Sequence, residues 1–254
     1  MTARPSRRTL IGSLGATAGS LLVAGCDKIT ASPRGQSILG VGEKLTYAAQ
    51  RIVSDRRALA PEYSASDMSP IFRANGNSNP ATAEYDAHVA SNFADWRLAV
   101  DGMVARPLLL SLEEIRRAPH RTQITRHDCV EGWSAIGRWT GIPLGLLLRH
   151  AGLSGNARYI VFHCADFSGG RPYYESIDLI DAFHPQTILA WGMNGQTLGV
   201  AHGAPLRLRV ERQLGYKQAK YVMRVQAVPR LTDIHGGKGG YWEDAVGYQW
   251  YAGI

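Results

Sequence analysis

The densest run of reactive side chains surrounds one cysteine, in residues 126–133 with the sequence R-H-D-C-V-E-G-W. Nearby positive charge favours the thiolate form of a cysteine, and Arg126 and His127 stand close to Cys129 in the chain. A thiolate in such surroundings acts as a nucleophile or as a ligand for a soft metal ion. The segment therefore predicts a catalytic or metal-binding role for Cys129, with Arg126 and Glu131 as neighbouring catalytic candidates.

Three other interpretations of Cys129 remain open from spacing alone. It can be an ordinary buried cysteine in a loop. It can join His127, His163 and Cys164 in a zinc site, although such closely paired ligands lack the usual loop spacing of zinc sites. It can also be the nucleophile of a Cys-His hydrolase, but the eight histidines do not single out a base.

Composition and charge limit the class of protein. The chain has 254 residues, of which 45% are hydrophobic and 19% charged, so it can bury a sizeable core as one domain or two closely packed ones. The net charge is +7, but Arg4, Arg7 and Arg8 supply three of these charges before Cys26. The remaining chain is mildly basic and has no basic run interleaved with aromatics. We therefore do not expect nucleic-acid binding.

The three cysteines, Cys26, Cys129 and Cys164, argue against several redox motifs. The sequence contains no CxxC or CxxCH motif, which excludes an attached c-type haem and disfavours iron–sulfur and thioredoxin-like sites. A disulfide between two cysteines of an exported protein is an open alternative. The chain lacks the cysteine density of disulfide-stapled domains.

Strand and helix signals alternate along the body of the chain. Alternation over 96–104 predicts a strand and turn, and a capping box from Ser111 to Glu114 predicts a helix. Alternation over 206–210 predicts a strand with one buried face and with its arginines sharing the other. Further expected elements are a helix at 143–152, strands at 159–164 and 221–228, helical turns at 178–183 and a hairpin turn at 194–195. Together they predict an α+β fold with mixed β-sheets and short helices.

Three segments resemble, in order, those of one known family. Residues 126–148, with CVEGWS and then WTGIPL, are similar to the molybdenum-cysteine segment of the sulfite-oxidase superfamily. Residues 96–102, WRLAVDG, and residues 203–222, with GAPLRL and LGYK, match segments on either side of it. The resemblance is strongest to the bacterial single-domain group that includes methionine-sulfoxide reductase catalytic subunits. It implies the sulfite-oxidase-type molybdopterin-binding fold.

The resemblance also implies a molybdenum–molybdopterin cofactor and residues that would bind it. Cys129 matches the permanent thiolate ligand of the metal. Arg207 and the turn Gly215, Tyr216 and Lys217 match the positions that bind the dianionic pterin phosphate through cations and backbone N–H groups.

Other positions match the family less well. His202 stands where the reductases have an asparagine that contacts the pterin, and it can still donate a hydrogen bond. Cys164 replaces a threonine near the metal, which puts the surroundings of the metal in question. Phe72 and Arg73 fall in the weakest matching segment. We expect one of them to touch the cofactor; otherwise they are an ordinary loop phenylalanine and a solvated arginine.

The first 26 residues resemble an export signal. Paired arginines, Arg7 and Arg8, precede an apolar stretch that is too short to be a comfortable membrane span, as in twin-arginine signals, whose translocon moves folded proteins. Residues 23–26, V-A-G-C, resemble a lipid-attachment motif that would anchor Cys26 to the membrane. We expect a periplasmic, membrane-anchored protein. A Sec signal and a plain cleavage site are the alternatives.

These observations predict a signal with lipid attachment at 1–26, a tether and lead-in segment at 27–68, and a molybdopterin domain at 69–254. The expected reaction is oxygen-atom transfer on a small sulfur- or nitrogen-oxo substrate, as sulfite oxidation or sulfoxide reduction. Electrons would be exchanged with a separate cytochrome or membrane haem subunit, because the chain has no electron-carrier motif. The rival functions are a zinc or Cys-dependent hydrolase and a metal-free binding lipoprotein of the same fold.

Overall fold

The computed structural model describes residues 32–53, 55 and 57–254. The proposed export signal and Cys26 lie outside the described residues. The chain forms two units, Met1–Arg56 and Arg57–Ile254. The second unit carries all the residues that the sequence assigns to chemistry.

In the first unit, helix α1 spans Pro33–Val53, where the sequence predicted a tether. The helix itself was not predicted. Pro33 occupies the first helical position, where a missing N–H costs no hydrogen bond, and the helix contains good helix formers such as leucine, lysine and alanine. Among the described residues, no helix combines the length and apolar character needed to cross a bilayer.

The second unit begins before the predicted boundary at residue 69. The backbone N–H of Tyr63 donates to the carbonyl of Ile124 at 2.9 Å, and that of Ser69 donates to the carbonyl of Ile136 at 3.0 Å. These bonds attach the segment after Arg57 to the strand pair that carries Cys129. The segment is therefore part of the folded domain.

Among its described residues, the second unit contains ten strands and five helices. The helices are numbered from α2, because α1 belongs to the first unit. The strands are β1 Arg97–Gly102, β2 Leu108–Ser111, β3 Arg121–Cys129, β4 Trp133–Pro143, β5 Tyr159–Ser168, β6 Arg171–Asp178, β7 Ile188–Met193, β8 Gln196–Thr197, β9 Arg207–Arg209 and β10 Val222–Val228. The helices are α2 Ala83–Ala90, α3 Leu112–Arg117, α4 Leu144–Ala151, α5 Leu179–Ala182 and α6 Tyr241–Val246. Short 3₁₀ turns lie at Ala65–Asp67, Val200–His202 and Gly215–Lys217.

Two five-stranded sheets organise this unit. One has the order β2-β1-β10-β5-β6, in which β1 and β10 run parallel and the other pairs are antiparallel. The other has the order β3-β4-β7-β8, and β9 pairs with β7. Mixed sheets with short helices confirm the predicted α+β class.

Local signals place several elements where the sequence predicted them. The Ser111 hydroxyl accepts from the backbone N–H of Glu114, and the Glu114 carboxylate accepts from that of Ser111, as the capping box requires. Helix α4 begins after Pro143 and ends at Gly152, which adopts a left-handed conformation. Its leucines enter the main apolar core, which includes Leu98, Val100, Leu144, Leu147, Leu148, Ile160 and Phe162.

Strand β9 differs from its prediction because both of its faces are covered. Arg207 and Arg209 are completely buried, whereas the alternating pattern predicted that they would share a face apart from the buried one. Their guanidinium carbons lie 5.3 and 4.3 Å from the Trp139 ring centroid, close enough for cation–π attraction. The alternation correctly separates the arginines from the apolar residues, but it cannot show that a second layer covers them.

Candidate cofactor-binding site

Cys129 lies at the end of a β-hairpin. It is the last residue of β3, and it pairs with Trp133, the first residue of β4, across a tight turn. The backbone N–H of Gly132 donates to the Cys129 carbonyl at 3.0 Å, and Gly132 has a φ of 86°, which glycine adopts without strain. Nine residue pairs between the two strands therefore hold this thiol in place.

The Cys129 thiol is not activated in the way that the sequence predicted. Burial raises its pKa, and the smaller opposing effect of the Arg207 charge does not reverse this. Burial, with repulsion from Arg207 and Arg209, holds the pKa of His127 well below its usual range, so this ring is neutral. Arg126 is more than half exposed and paired with Asp128 at 2.9 Å. The thiol therefore needs a metal ion, and not its sequence neighbours, to displace its proton.

A pocket opens beside Cys129 where several segments meet. Its walls are the loop Asn75–Asn77, the hairpin turn 129–131, parts of β5 and β6, the turn that follows Leu214, and the C-terminal residues Trp242 and Tyr248. The lining residues include Asn75, Gly76, Asn77, Cys129, Glu131, Asp166, Tyr173, Gly215, Tyr216, Gln218, Lys220, Trp242 and Tyr248. Of the predicted site residues, Cys129, Glu131, Gly215 and Tyr216 line this pocket.

Among the described residues, two buried cations in or next to this pocket have no carboxylate partner within ion-pair distance. Arg207 donates to the Asn75 side-chain oxygen at 2.9 Å and to the His202 carbonyl at 3.3 Å, and its Nε has no hydrogen-bond partner. Burial and the nearby Arg209 lower its pKa to about 9. Burial and Arg207 likewise lower the pKa of Lys220 to about 7. An anion beside these groups would relieve the cost of burying both charges.

Gly215 and His127 form a close contact in the wall of the pocket. The guanidinium of Arg209 can only donate, so its 3.0 Å contact with His127 Nδ1 makes that nitrogen an acceptor and places the ring proton on Nε2. This Nε2 has no partner, and a Cβ at Gly215 would stand 2.5 Å from it. The turn therefore requires glycine to bring its backbone against the buried ring.

Lys217 does not lie where the family resemblance predicted it. Its side chain is completely buried, and its ammonium lies 2.7 Å from Glu175 Oε2 and 2.5 Å from Glu243 Oε1. The two carboxylates raise the pKa of Lys217 despite the opposing effect of burial. The geometry gives Lys217 a role in joining β6 to α6 and does not favour a direct phosphate contact.

The remaining predicted residues surround the pocket at different depths. Phe72 packs against the rings of His127, Trp133, Trp139 and His202, with centroids 5.3 to 6.0 Å apart. His202 is half-buried, and its Nδ1 has no hydrogen-bond partner. Arg73 is exposed. Phe72 and His202 thus belong to the layer behind the pocket, whereas Arg73 does not line it.

Cys164 lies on β5 behind the pocket wall. Its pKa is raised far above the usual range by burial and by the charges of Asp166 and Glu175. Cys129 and Cys164 are both free thiols, so the disulfide alternative is wrong for this pair. In the part of the chain that the structure describes, no three His, Cys, Asp or Glu side chains cluster as metal ligands. The zinc alternative therefore has no support.

These residues fit a molybdenum cofactor that carries a phosphate. Cys129 provides one soft ligand on a rigid hairpin, Arg207 and Lys220 provide uncompensated positive charge, and Gly215 provides close backbone approach. The unpartnered nitrogens of Arg207 and His202 are free donor or acceptor groups for a polar ligand.

The sequence interpretation missed most of the other pocket residues, among them Asn75, Asp166, Lys220, Trp242 and Tyr248. Lys220 lies inside a matching segment, and its basic side chain was a usable signal. Asn75 follows directly on the weak segment around Phe72 and Arg73. Trp242 and Tyr248 lie outside the three segments that carry the family resemblance, so no signal pointed to them.

A mixed-sheet fold with one hairpin-held thiol beside uncompensated buried cations defines a cofactor-dependent oxidoreductase domain. The chain belongs to the family described as oxidoreductase molybdopterin binding domain, whose model matches residues 86–233, more than half of the chain. Membership confirms the predicted fold and the molybdenum–molybdopterin cofactor, and it does not support the hydrolase alternative.

Named relatives agree with this membership. The chain is 37% identical over 98% of its length to a putative protein-methionine-sulfoxide reductase subunit of Azospira oryzae, of which it covers 88%. It is 35% identical over 59% of its length to the catalytic subunit of a protein-methionine-sulfoxide reductase of Gluconobacter oxydans, of which it spans about half, 51%. The sulfane dehydrogenase SoxCD of Paracoccus pantotrophus has a similar structure, with a TM-score of 0.50 and 25% identity over 54% of this chain and 39% of that one.

Lys217→Met is expected to lower the stability of the fold, whereas Arg207→Met is expected to lower the binding of the cofactor. Lys217→Met leaves two buried carboxylates without their cation, so it should lower the free energy of unfolding of the cofactor-free protein by roughly 3 to 5 kcal/mol. Arg207→Met removes an uncompensated charge, so it should leave the cofactor-free fold and lower molybdenum occupancy by about tenfold, the loss of one charged hydrogen bond. Urea unfolding and metal analysis measure the two effects.

The exposed Lys238→Met variant is the control for losing a lysine. A cofactor-free Lys217→Met protein as stable as wild type would contradict the structural role of the ion pair. Full molybdenum occupancy in Arg207→Met would contradict the anion site.

Proposed function

We propose that this chain reduces sulfoxides, so that each turnover consumes two electrons and two protons and releases the sulfide and water. The bound molybdenum cofactor supplies the two-electron redox change. The chain's own residues hold that cofactor, shape the pocket and set its charge. The charge of the pocket wall is the observation that carries this proposal.

The pocket wall is poorly suited to a dianion such as sulfite. It contains the carboxylates of Glu131 and Asp166 and one cation, Lys220. The Lys220 ammonium already donates to the carbonyls of Asn75 at 2.8 Å, Ala201 at 3.0 Å and Asn77. A substrate dianion next to Glu131 and Asp166 would thus meet two acidic groups and a cation whose donors are in use, whereas the cofactor phosphate would lie beside Arg207, which is not among the lining residues and keeps an unpartnered Nε among the described residues. A neutral sulfoxide avoids this repulsion.

Glu131 supports the arrangement of the pocket. Its carboxylate accepts from Trp133 Nε1 at 3.0 Å and from the backbone N–H of Gly76 at 3.3 Å. These hydrogen bonds lower its pKa, so it is charged at neutral pH. Glu131 therefore joins the loop Asn75–Asn77 to the hairpin turn that carries Cys129, which gives it a positioning role next to the metal ligand.

The exposed cations do not change this conclusion. Arg126 is paired with Asp128 on the same strand, and Arg73 is exposed away from the lining residues. The two relatives described above as methionine-sulfoxide reductase proteins also support the sulfoxide assignment.

Substrate preference is tested with the cofactor-loaded protein. Reduction of methionine sulfoxide by a reduced dye should exceed oxidation of sulfite with ferricyanide by about a hundredfold in kcat/KM, equivalent to roughly 2.7 kcal/mol of discrimination. Protein made without molybdopterin is the control and should show neither activity. Sulfite oxidation at an equal or greater kcat/KM would contradict the proposal.

The electrons for this reaction are proposed to come from a separate haem protein. The chain has no CxxCH or CxxC motif that would carry a haem or an iron–sulfur cluster of its own. The names of the two reductase relatives describe subunits, which supports a two-component system. Stimulation of turnover by a membrane fraction that contains haem, and not by membranes stripped of haem, would identify this class of donor.

Export through the twin-arginine route and anchoring through Cys26 complete the proposal. Changing Arg7 and Arg8 to lysine should retain cofactor-loaded, active protein in the cytoplasm, because a Sec signal tolerates lysine and a twin-arginine signal does not. Cys26→Ala should release the exported protein from membranes with its specific activity unchanged. Cell fractionation, with molybdenum measured in each fraction, tests both variants. Efficient export of the lysine variant would contradict export through the twin-arginine route.

A further inference from the structure

Trp242 and Tyr248 form a stacked aromatic pair in the wall of the Cys129 pocket. Their ring centroids are 5.7 Å apart, and their planes differ by only 24°. Both residues line the pocket, Trp242 is half-buried, and Tyr248 is 37% exposed. Tyr216, which also lines the pocket, makes an edge contact with Tyr248 at 5.1 Å. The pocket therefore has an apolar aromatic wall that is accessible to a ligand.

Contacts at both ends of residues 241–249 hold this aromatic wall in place. Glu243, the neighbour of Trp242, is buried and paired with Lys217, and Tyr241 stacks on Tyr173 with centroids 5.5 Å apart. At the far end of the segment, the Tyr216 hydroxyl donates to the carbonyl of Gln249 at 2.6 Å. Both ends of residues 241–249 are thus fixed to the domain, which positions the two rings before any ligand binds.

The aromatic wall lies outside the part of the chain that defines the family. The family model matches residues 86–233, whereas Trp242 and Tyr248 follow it. The groups that fit the cofactor, Cys129, Arg207 and Gly215, all lie within the matched residues. The aromatic wall is therefore separate in sequence from the groups that fit the cofactor, which leaves it available to contact the substrate.

We propose that Trp242 and Tyr248 determine substrate specificity by binding the alkyl-sulfur part of a methionine sulfoxide side chain in a peptide. This inference rests on the proposed sulfoxide reduction and deepens it. The methyl and methylene groups of the side chain pack on ring faces, and sulfur makes favourable contacts with aromatic rings at about 5 Å. The sulfoxide sulfur carries partial positive charge, which the ring faces also attract.

The test compares two substrates with the same S=O group. Trp242→Ala should raise KM for a methionine-sulfoxide peptide by about tenfold, the effect of one lost aromatic contact, and leave kcat within about twofold. Dimethyl sulfoxide, which has the shortest alkyl groups, should show a much smaller rise in KM. Tyr248→Ala should act in the same direction, and Trp242→Phe should restore most of the binding.

Equilibrium binding provides a readout that does not depend on turnover. A peptide with methionine sulfone, which is not a substrate for the reaction, should bind the cofactor-loaded Trp242→Ala protein about tenfold more weakly than wild type. Phe183→Ala, which removes a partly exposed ring outside the pocket, is the matched control and should bind like wild type. Molybdenum content should be the same in all variants.

Two results would overturn the inference. Unchanged KM and unchanged sulfone affinity in both Ala variants would show that the wall does not contact the substrate. A fall in molybdenum content would show that the rings bind the cofactor instead. If wild type reduces no sulfoxide, the proposed function fails, and binding of the sulfone peptide still tests the aromatic wall separately.

Discussion

Buried positive charge without a protein counter-ion is the constraint on which this site depends. Arg207 and Lys220 are enclosed next to the pocket, and neither forms an ion pair among the described residues. Such charges destabilise a fold unless a ligand compensates them. The pKa shifts of both groups, downwards to about 9 and about 7, express this cost. A bound anionic cofactor therefore stabilises the domain as well as enabling its chemistry.

The second buried cation system serves the architecture. Lys217 is balanced by Glu175 and Glu243, which belong to β6 and α6. Its place in the chain, directly after Gly215 and Tyr216, means that one short turn contributes to the cofactor pocket and also anchors the segment that follows the last strand. Shape at the pocket and stability of the C-terminal segment are thus linked through three consecutive residues.

Local patterns predicted the elements whose determinants are local. The capping box at Ser111, the helix from 144 to 151 and the hairpin turn at Asn194 all follow from residues within a few positions of one another. The family segments predicted Cys129 and Gly215 in one pocket. A metal-bound cysteine needs a rigid support. The place of Cys129 at the end of the long strand pair β3–β4 is consistent with a role as metal ligand.

Contacts between distant segments could not be predicted in this way. The burial of Arg207 and Arg209 depends on layers that cover β9, and alternation in five residues says nothing of those layers. The partners of Lys217 come from β6 and α6, which lie outside the matching segment 203–222, so the family resemblance implied only a phosphate contact. Helix α1 was not predicted, because residues 27–68 were assigned to a tether and lead-in segment and the three glycines within the helix disfavour it on propensity.

The most direct test of the account is the number of sulfur ligands on molybdenum in the Cys129→Ser protein. X-ray absorption at the molybdenum edge should show one sulfur ligand fewer than in wild type. Molybdenum occupancy should remain substantial, because Arg207, Lys220 and the turn at Gly215 hold the rest of the cofactor. An unchanged number of sulfur ligands, with turnover retained, would contradict the assignment of Cys129 as the protein ligand of the metal.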